Sequence, residues 1–259
     1  MNFDSVKTNR DGAIMWLTLN RPTEANALSL PLAAEFAAAL ALAEADSGCH
    51  VVILQGAGKF FCAGGDVAGM ADAEDKSGYL KELAGAMHEV ILAMLRSRLM
   101  IVAAVHGPAA GAGLGLVLAA DFVLATPDAT FRSAYAGVGL TPDCGVSYLL
   151  PQAIGPGRAA QMCLGGHVVT ARDGADWGLV GELIETSELG TRGRELGERL
   201  AAGATQTLGP TKRLLTEERL STFADHLDKE LSTISTLGSN PDTVQRIDAF
   251  ARGRVKSRQ

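Results

Sequence analysis

An α/β fold built on a mainly parallel sheet is predicted by one pattern that this 259-residue chain repeats. Val51-Val52-Ile53-Leu54 is an apolar, β-branched run ending at Gln55-Gly56-Ala57-Gly58, and Met100 to Val105 is another ending in His106-Gly107-Pro108. Each reads as a buried strand leaving the core. A small-residue turn follows each run, Ala63-Gly64-Gly65-Asp66 in one case and Gly111-Ala112-Gly113 in the other, and a helix pattern opens after it. Strands that alternate with helices through short turns imply parallel pairing, because parallel neighbours need a crossover. Small residues leave main-chain N–H groups unshielded, and N–H groups at a helix start suit a developing negative charge. Taken singly, either stretch is also an ordinary Gly-rich strand-to-helix turn.

The other elements follow in order. Phe3 to Lys7 and Ala13 to Leu19 alternate in polarity around Asn9-Arg10-Asp11-Gly12, which predicts a hairpin. Asn20 to Asn26 is a loop, and Ser29 before Pro31 caps an Ala- and Leu-rich helix reaching Ala45. A short helix starts after Asp66, a polar and mobile loop covers Asp72 to Gly78, and a long helix covers Lys81 to Arg96. Phe122 to Ala125 and Ala129 to Phe131 are short strands. Gly155 to Cys163 and Thr170 to Trp177 are short helices, the second capped by Thr170, and an extended piece spans Leu179 to Ile184. Beyond Leu189 no strand signal remains, and Leu208 to Leu220, Phe223 to Leu237 and Asp242 to Ala251 read as three helices. A domain boundary is placed at residue 187, with a core over 1–187 and a helical region over 188–259.

Composition narrows the function. Apolar residues make up 47% and charged residues 20%, as in soluble globular chains. A net charge of −6 argues against nucleic acid and against an anionic membrane surface. Cys49, Cys62, Cys144 and Cys163 lack metal-like spacing, and the histidines stand apart, so no metal site is expected. Met1 to Arg10 is polar without an apolar stretch, so a cytoplasmic chain with reduced thiols is expected. Leu99 to Ala125 is apolar, but His106, Gly107-Pro108 and Asp121 divide it into strand, turn and helix rather than a membrane span.

Asn20-Arg21-Pro22 with Asn26-Ala27-Leu28-Ser29, then Phe61 to Asp66, then Gly107 to Gly113 occur in an order and spacing that resembles the crotonase superfamily of enoyl-CoA hydratases and isomerases. The resemblance covers nearly the whole chain. It implies a crotonase-like spiral of ββα units with a C-terminal helical region that packs against neighbouring subunits, hence a homotrimer or a dimer of trimers. It also implies an acyl-CoA substrate, with the coenzyme A thioester as substrate and no separate cofactor. By the same resemblance, Ala63 and Ala112 supply the two oxyanion N–H donors. Ala63, Gly64, Gly65 and Asp66 line the thioester, Ala25 neighbours the CoA moiety, and Met70, Tyr135 and Leu140 border the acyl group. Lys212 matches a position near the CoA phosphates, and a solvated helix charge is its other reading.

Two departures decide the chemistry. Hydratases of this superfamily place two glutamates over the substrate, and the matching positions here are Gly115 and Tyr135. Neither residue can activate water as a carboxylate. Leu140-Thr141-Pro142-Asp143-Cys144-Gly145-Val146-Ser147 instead resembles the branch of Δ3,Δ2-enoyl-CoA isomerases and epoxyphenylacetyl-CoA isomerases, whose segment supplies one acidic residue. Asp143 is therefore the candidate catalytic base, and burial in an apolar pocket would raise its pKa towards a useful range. A helix N-cap is its other reading, as it is for Asp66. Tyr135 reads as pocket wall, His106 as a satisfied core histidine, and Cys144 as a small core residue without an identifiable His partner. Isomerisation leads; hydration or another thioester reaction, and non-catalytic acyl-CoA binding, are the alternatives.

Overall fold

The computed structural model describes residues 3–256 of the chain. Its first hairpin is tighter than the sequence suggests. β1 (Val6–Asp11) and β2 (Ile14–Leu19) pair antiparallel with Asp11 opposite Ile14, so Asn9 and Arg10 lie in the strand. Gly12 turns the chain at φ 55°, a left-handed conformation that favours glycine. Pro22–Glu24 forms one 3-10 turn, and α1 (Leu30–Ala45) starts where Ser29 accepts the Leu32 N–H.

β3 (Val51–Gly56) joins β2 in parallel, and α2 (Val67–Asp72) follows the first small-residue turn. α3 (Lys76–Arg96) begins earlier than its apolar pattern implies, because the Asp75 side chain accepts the Gly78 N–H as a cap. The expected loop over Asp72 to Gly78 thus shrinks to three residues, Ala73 to Asp75. Next come β4 (Met100–Val105), β5 (Ala109–Ala110), α4 (Ala112–Leu118), β6 (Phe122–Ala125) and β7 (Thr130–Arg132). A 3-10 turn at Tyr135–Val138 leads to α5 (Val146–Ile154) and α6 (Pro156–Cys163). β8 (Val169–Thr170), α7 (Ala171–Trp177) and β9 (Glu182–Leu183) complete the strand-bearing part.

The main sheet runs β1-β2-β3-β4-β6-β9, parallel throughout except for the first hairpin. Leu28 bridges Gly65, Cys62 bridges Ala109, and β5 pairs with β7. Successive units therefore each send one strand into the main sheet and one short extended piece into a second layer. That is the spiral the resemblance implies. Both small-residue turns lie in the second layer, which is why they meet although β3 and β4 are separate strands.

Side chains alternate across the main sheet as a strand's period of two requires. Val52, Leu54, Ile101 and Ala103 face the large core beneath α1 and α3. Val51, Ile53, Met100 and Val102 face the other side, where α8 (Leu189–Ala202) covers them with Leu189 and Leu196. Residue 187 thus marks the end of the strands, not a gap between two cores.

The next two expected helices are one. α9 runs unbroken over Thr205–Leu237 and α10 over Pro241–Lys256. Ser221 does not stop α9, since its hydroxyl donates back to Glu218 O at 2.6 Å. Phe223, Leu227 and Ile234 form a helical stripe that enters the same core as α3.

Candidate active site

A cavity of about 360 Å³ opens between the two small-residue turns, α3, and the segment before α5. Much of its wall is apolar. Met70, Leu80, Leu83 and Met87 line one side, Val138 and Leu140 another, and Ile234 and Phe250 reach it from α9 and α10. Leu83 and Met87 share a face of α3 because residues four apart do.

Asn26 fixes the first turn. Its Nδ2 donates to Ala57 O, Phe60 O and Phe61 O at 2.9, 2.8 and 3.2 Å, while Oδ1 accepts the Arg21 N–H. Arg21 in turn pairs with Asp66 at 2.9 Å and donates to Ala27 O at 2.6 Å. Asp66 also accepts the Gly69 N–H, so it caps α2 as the sequence suggests. The Asn-Arg-Pro and Asn-Ala-Leu-Ser motifs thus brace the loop that carries the donors.

That bracing changes the identity of one donor. The Ala63 N–H is spent on Ala25 O at 3.0 Å and is not free for a ligand. Asp66 N–H donates to Leu28 O at 2.9 Å, so the preceding amide faces the opposite side of this extended piece, towards Ala110 and Gly111. That amide belongs to Gly65, which has no acceptor among the described residues and lines the cavity. In the second turn the Gly111 N–H is used by Arg132 O at 3.0 Å. Ala112 is the first residue of α4, where an N–H has no intrahelical acceptor. Gly65 and Ala112 therefore each bring to the cavity an N–H with no acceptor among the described residues. Gly64 must be glycine for them to approach: its φ is 98°, and a Cβ there would lie 2.8 Å from Ala110 O.

Asp143 reaches the same cavity. Its carboxyl is buried and accepts the Tyr135 hydroxyl at 2.5 Å. Tyr135 stands beside the second turn, with Cζ 3.8 Å from where a Gly111 Cβ would be. Burial pushes the Asp143 pKa above its ordinary value, the Tyr135 hydrogen bond opposing that shift without cancelling it. The phenol is pushed well above its own range by burial and by the neighbouring carboxylate. Asp143 is not a helix cap: α5 is capped at Gly145, with no bond from its own neighbours' side chains.

Behind Asp143 the His88 Nε2 accepts the Cys144 N–H at 3.2 Å, so the ring proton sits on Nδ1. Burial holds His88 neutral, its pKa lowered to about 4. Ligand atoms of His88, Asp143 and Cys144 lie within 4.8 Å of one another. The His88 lone pair, however, is directed at a backbone amide, and burial keeps the Cys144 thiol well above its usual pKa. This trio supports the turn rather than forming a nucleophile–base pair.

Residues 9–255 match the family model described as enoyl-CoA hydratase/isomerase. The chain belongs to this family. It is 31% identical to a 1,2-epoxyphenylacetyl-CoA isomerase of Escherichia coli, over 96% of each chain. It is 28% identical to a trans-2-decenoyl-[acyl-carrier-protein] isomerase of Streptococcus mutans, over 98% of this chain and 97% of the relative. The crystal structure of an enoyl-CoA hydratase from Mycobacterium avium subsp. paratuberculosis superposes with a TM-score of 0.88 at 29% identity, over 97% of each chain.

A Cβ on Gly115 would lie 2.7 Å from Cys144 O and 2.8 Å from Cys144 Cβ, so no carboxylate can stand there without moving the Asp143 turn. Of the residues singled out from sequence, Ala63, Gly64, Gly65, Met70, Ala112, Tyr135, Leu140 and Asp143 line the cavity, and Ala25 and Asp66 brace its wall. Lys212 does neither. It is 4% exposed, and Nζ donates to Met94 O, Leu99 O and Asp121 at 2.9, 3.1 and 2.7 Å. All three of its protons are committed, so it ties α9 to the α3–β4 junction instead of meeting a phosphate. His88, Ile234 and Phe250 went unassigned, since none sits in a motif; the last two fall only within the predicted helices Phe223 to Leu237 and Asp242 to Ala251.

Proposed function

We propose that this chain is an enoyl-CoA isomerase in which Asp143 is the single base. The observation that carries this reading is a buried carboxyl lining the same cavity as two unpaired N–H groups, at a site where position 115 excludes a second carboxylate. With the thioester carbonyl between Gly65 N–H and Ala112 N–H, the adjacent carbon is acidified. Asp143 takes its proton, the electron pair delocalises through the double bond onto the carbonyl oxygen, and the two donors stabilise the resulting dienolate. Asp143 then returns the proton two carbons farther along, which leaves a 2-enoyl thioester. One oxyanion donor contributes roughly 3–4 kcal/mol of such stabilisation. Atoms and charge balance with no metal or redox cofactor, and we propose that none is required.

The test is a panel of 3-enoyl- and 2-enoyl-CoA thioesters, with products resolved by chromatography and mass. Interconversion at constant mass is expected; a gain of one water from the 2-enoyl substrate would overturn the isomerase reading. Among the described residues no helix is long and apolar enough to cross a membrane, and we place the protein in the cytoplasm. We further propose a homotrimer or dimer of trimers. Leu214 and Leu215, 75% and 80% exposed on α9, are apolar groups such an assembly would cover. Sedimentation at micromolar concentration should give a trimer or hexamer, and a stable monomer would rule the assembly out.

A further inference from the structure

The turn that carries Asp143 is held from below by a carboxylate that belongs to neither the cavity nor any motif. Glu230 projects from α9, is 5% exposed, and sits on the stripe whose other members are apolar. Its Oε2 accepts the Gly145 N–H at 2.8 Å, and its Oε1 accepts the Ser147 N–H at 3.1 Å and the Ser147 hydroxyl. These are the amides at the start of α5, which has no cap of its own. The backbone there is demanding. Cys144 lies at φ 53° and Gly145 at φ 75°, two successive left-handed residues, the first with a side chain. A Cβ on Gly145 would meet Phe223 of α9 at 2.5 Å, so helix and turn are in direct contact.

Burying a carboxylate is unfavourable unless its lone pairs are used, and an apolar residue at this stripe position would pack without that cost. What the carboxylate supplies is geometry. With His88 on the Cys144 N–H and Asp143 O on the Val146 N–H at 3.0 Å, every amide from 144 to 147 is spoken for. We propose that Glu230 is the positioning residue for the Asp143 base, fixing the turn so that the Asp143 carboxyl faces the acyl cavity. This rests on the reading of Asp143 as the base.

The groups facing Glu230 are Asp143 and Cys144 of the turn, His88 of α3, and Ser147 and His226 at its outer side. None is a cation within hydrogen-bonding reach: His88 is neutral, and burial also lowers the His226 pKa. Burial pushes Glu230 up to about 7, the Ser147 hydroxyl and Gly145 N–H opposing it, and the Asp143 charge pushing it further. Protonating Glu230 takes away one of its acceptors and slackens the clamp, so the parent's acid limb carries this titration, and a side chain at 230 that cannot titrate leaves the limb to Asp143 at lower pH.

Glu230→Gln keeps the shape, but its NH2 group cannot accept one of the two amides and its charge is gone. Misplacing a catalytic group by about an ångström costs up to 10²-fold. The variant is therefore expected to lose roughly 10- to 100-fold in kcat on a 3-enoyl-CoA, with KM unchanged and the acid limb of the kcat profile moved to lower pH. A merely structural contact would not move that limb. Asp143→Asn is assayed alongside. If it keeps full turnover, the base reading fails and the inference with it. If it is inactive while a cooperatively melting Glu230→Gln keeps the parent's kcat and pH limb, only the positioning role is overturned. Should Glu230→Gln not fold, Ser147→Ala takes its place, since it removes one bond of the same clamp. A several-fold loss in kcat at constant KM is expected there, and parental kcat would overturn the inference.

Discussion

In Asp143→Asn, turnover of a 3-enoyl-CoA should fall by roughly 10²–10⁴-fold, the usual worth of a positioned general base. The fold should survive. Asn remains able to accept the Tyr135 hydroxyl, and α5 owes its cap to Gly145 and the distant Glu230 rather than to residue 143. Binding of a CoA thioester should persist, because the Gly65 and Ala112 donors are untouched. The parent should exchange substrate α- or γ-hydrogen with solvent deuterium, and the variant should not.

The parent's pH profile is a second readout of the same group. Only the ionised carboxyl can take a proton, and burial raises the Asp143 pKa while the Tyr135 bond lowers it less. Activity should therefore fall on the acid side at a pH above the ordinary carboxylate range. Full turnover and unchanged exchange in folded Asp143→Asn would end the single-base mechanism. Another crotonase-type thioester reaction would then take first place.

The sequence was most legible where local chemistry acts alone. Apolar runs, Gly-rich turns and the caps Ser29, Asp66 and Thr170 depend on neighbours in the chain, and the structure places each as expected. Legibility failed where a distant partner decides. Ala63 and Gly65 lie in one small-residue turn, and nothing local tells which N–H is free. Ala25 O, across the loop, takes one and leaves the other. Asp143 looked like a cap because Pro142 precedes it and a helix follows, yet the cap comes from α9. Lys212 read as a surface or phosphate-binding charge, and only the approach of Met94, Leu99 and Asp121 reveals a buried tie. Leu208 to Leu220 and Phe223 to Leu237 read as two helices because the return bond from Ser221 to Glu218 is invisible until the helix exists.

Ala112→Pro should lower kcat by roughly 10²–10³-fold, the cost of losing one oxyanion donor. Proline deletes the N–H, and the position is one of the few where a helix tolerates it. Ala112 is the first residue of α4, whose N–H lacks an intrahelical partner in any case. The residue before a proline is pushed out of the helical region, and Gly111 already sits at φ 53°, ψ −127°, the mirror image of an extended conformation open to an achiral residue. Ala112 is 4% exposed and lines the cavity, so the ring also takes space near the thioester. Ala112→Val separates the two effects, because it adds comparable bulk and keeps the donor. If Gly65 and Ala112 share the oxyanion, the valine variant should raise KM and keep most of kcat, while the proline variant loses kcat. Equal losses in both would show that bulk alone is responsible, and the second donor would have to be sought elsewhere in the cavity.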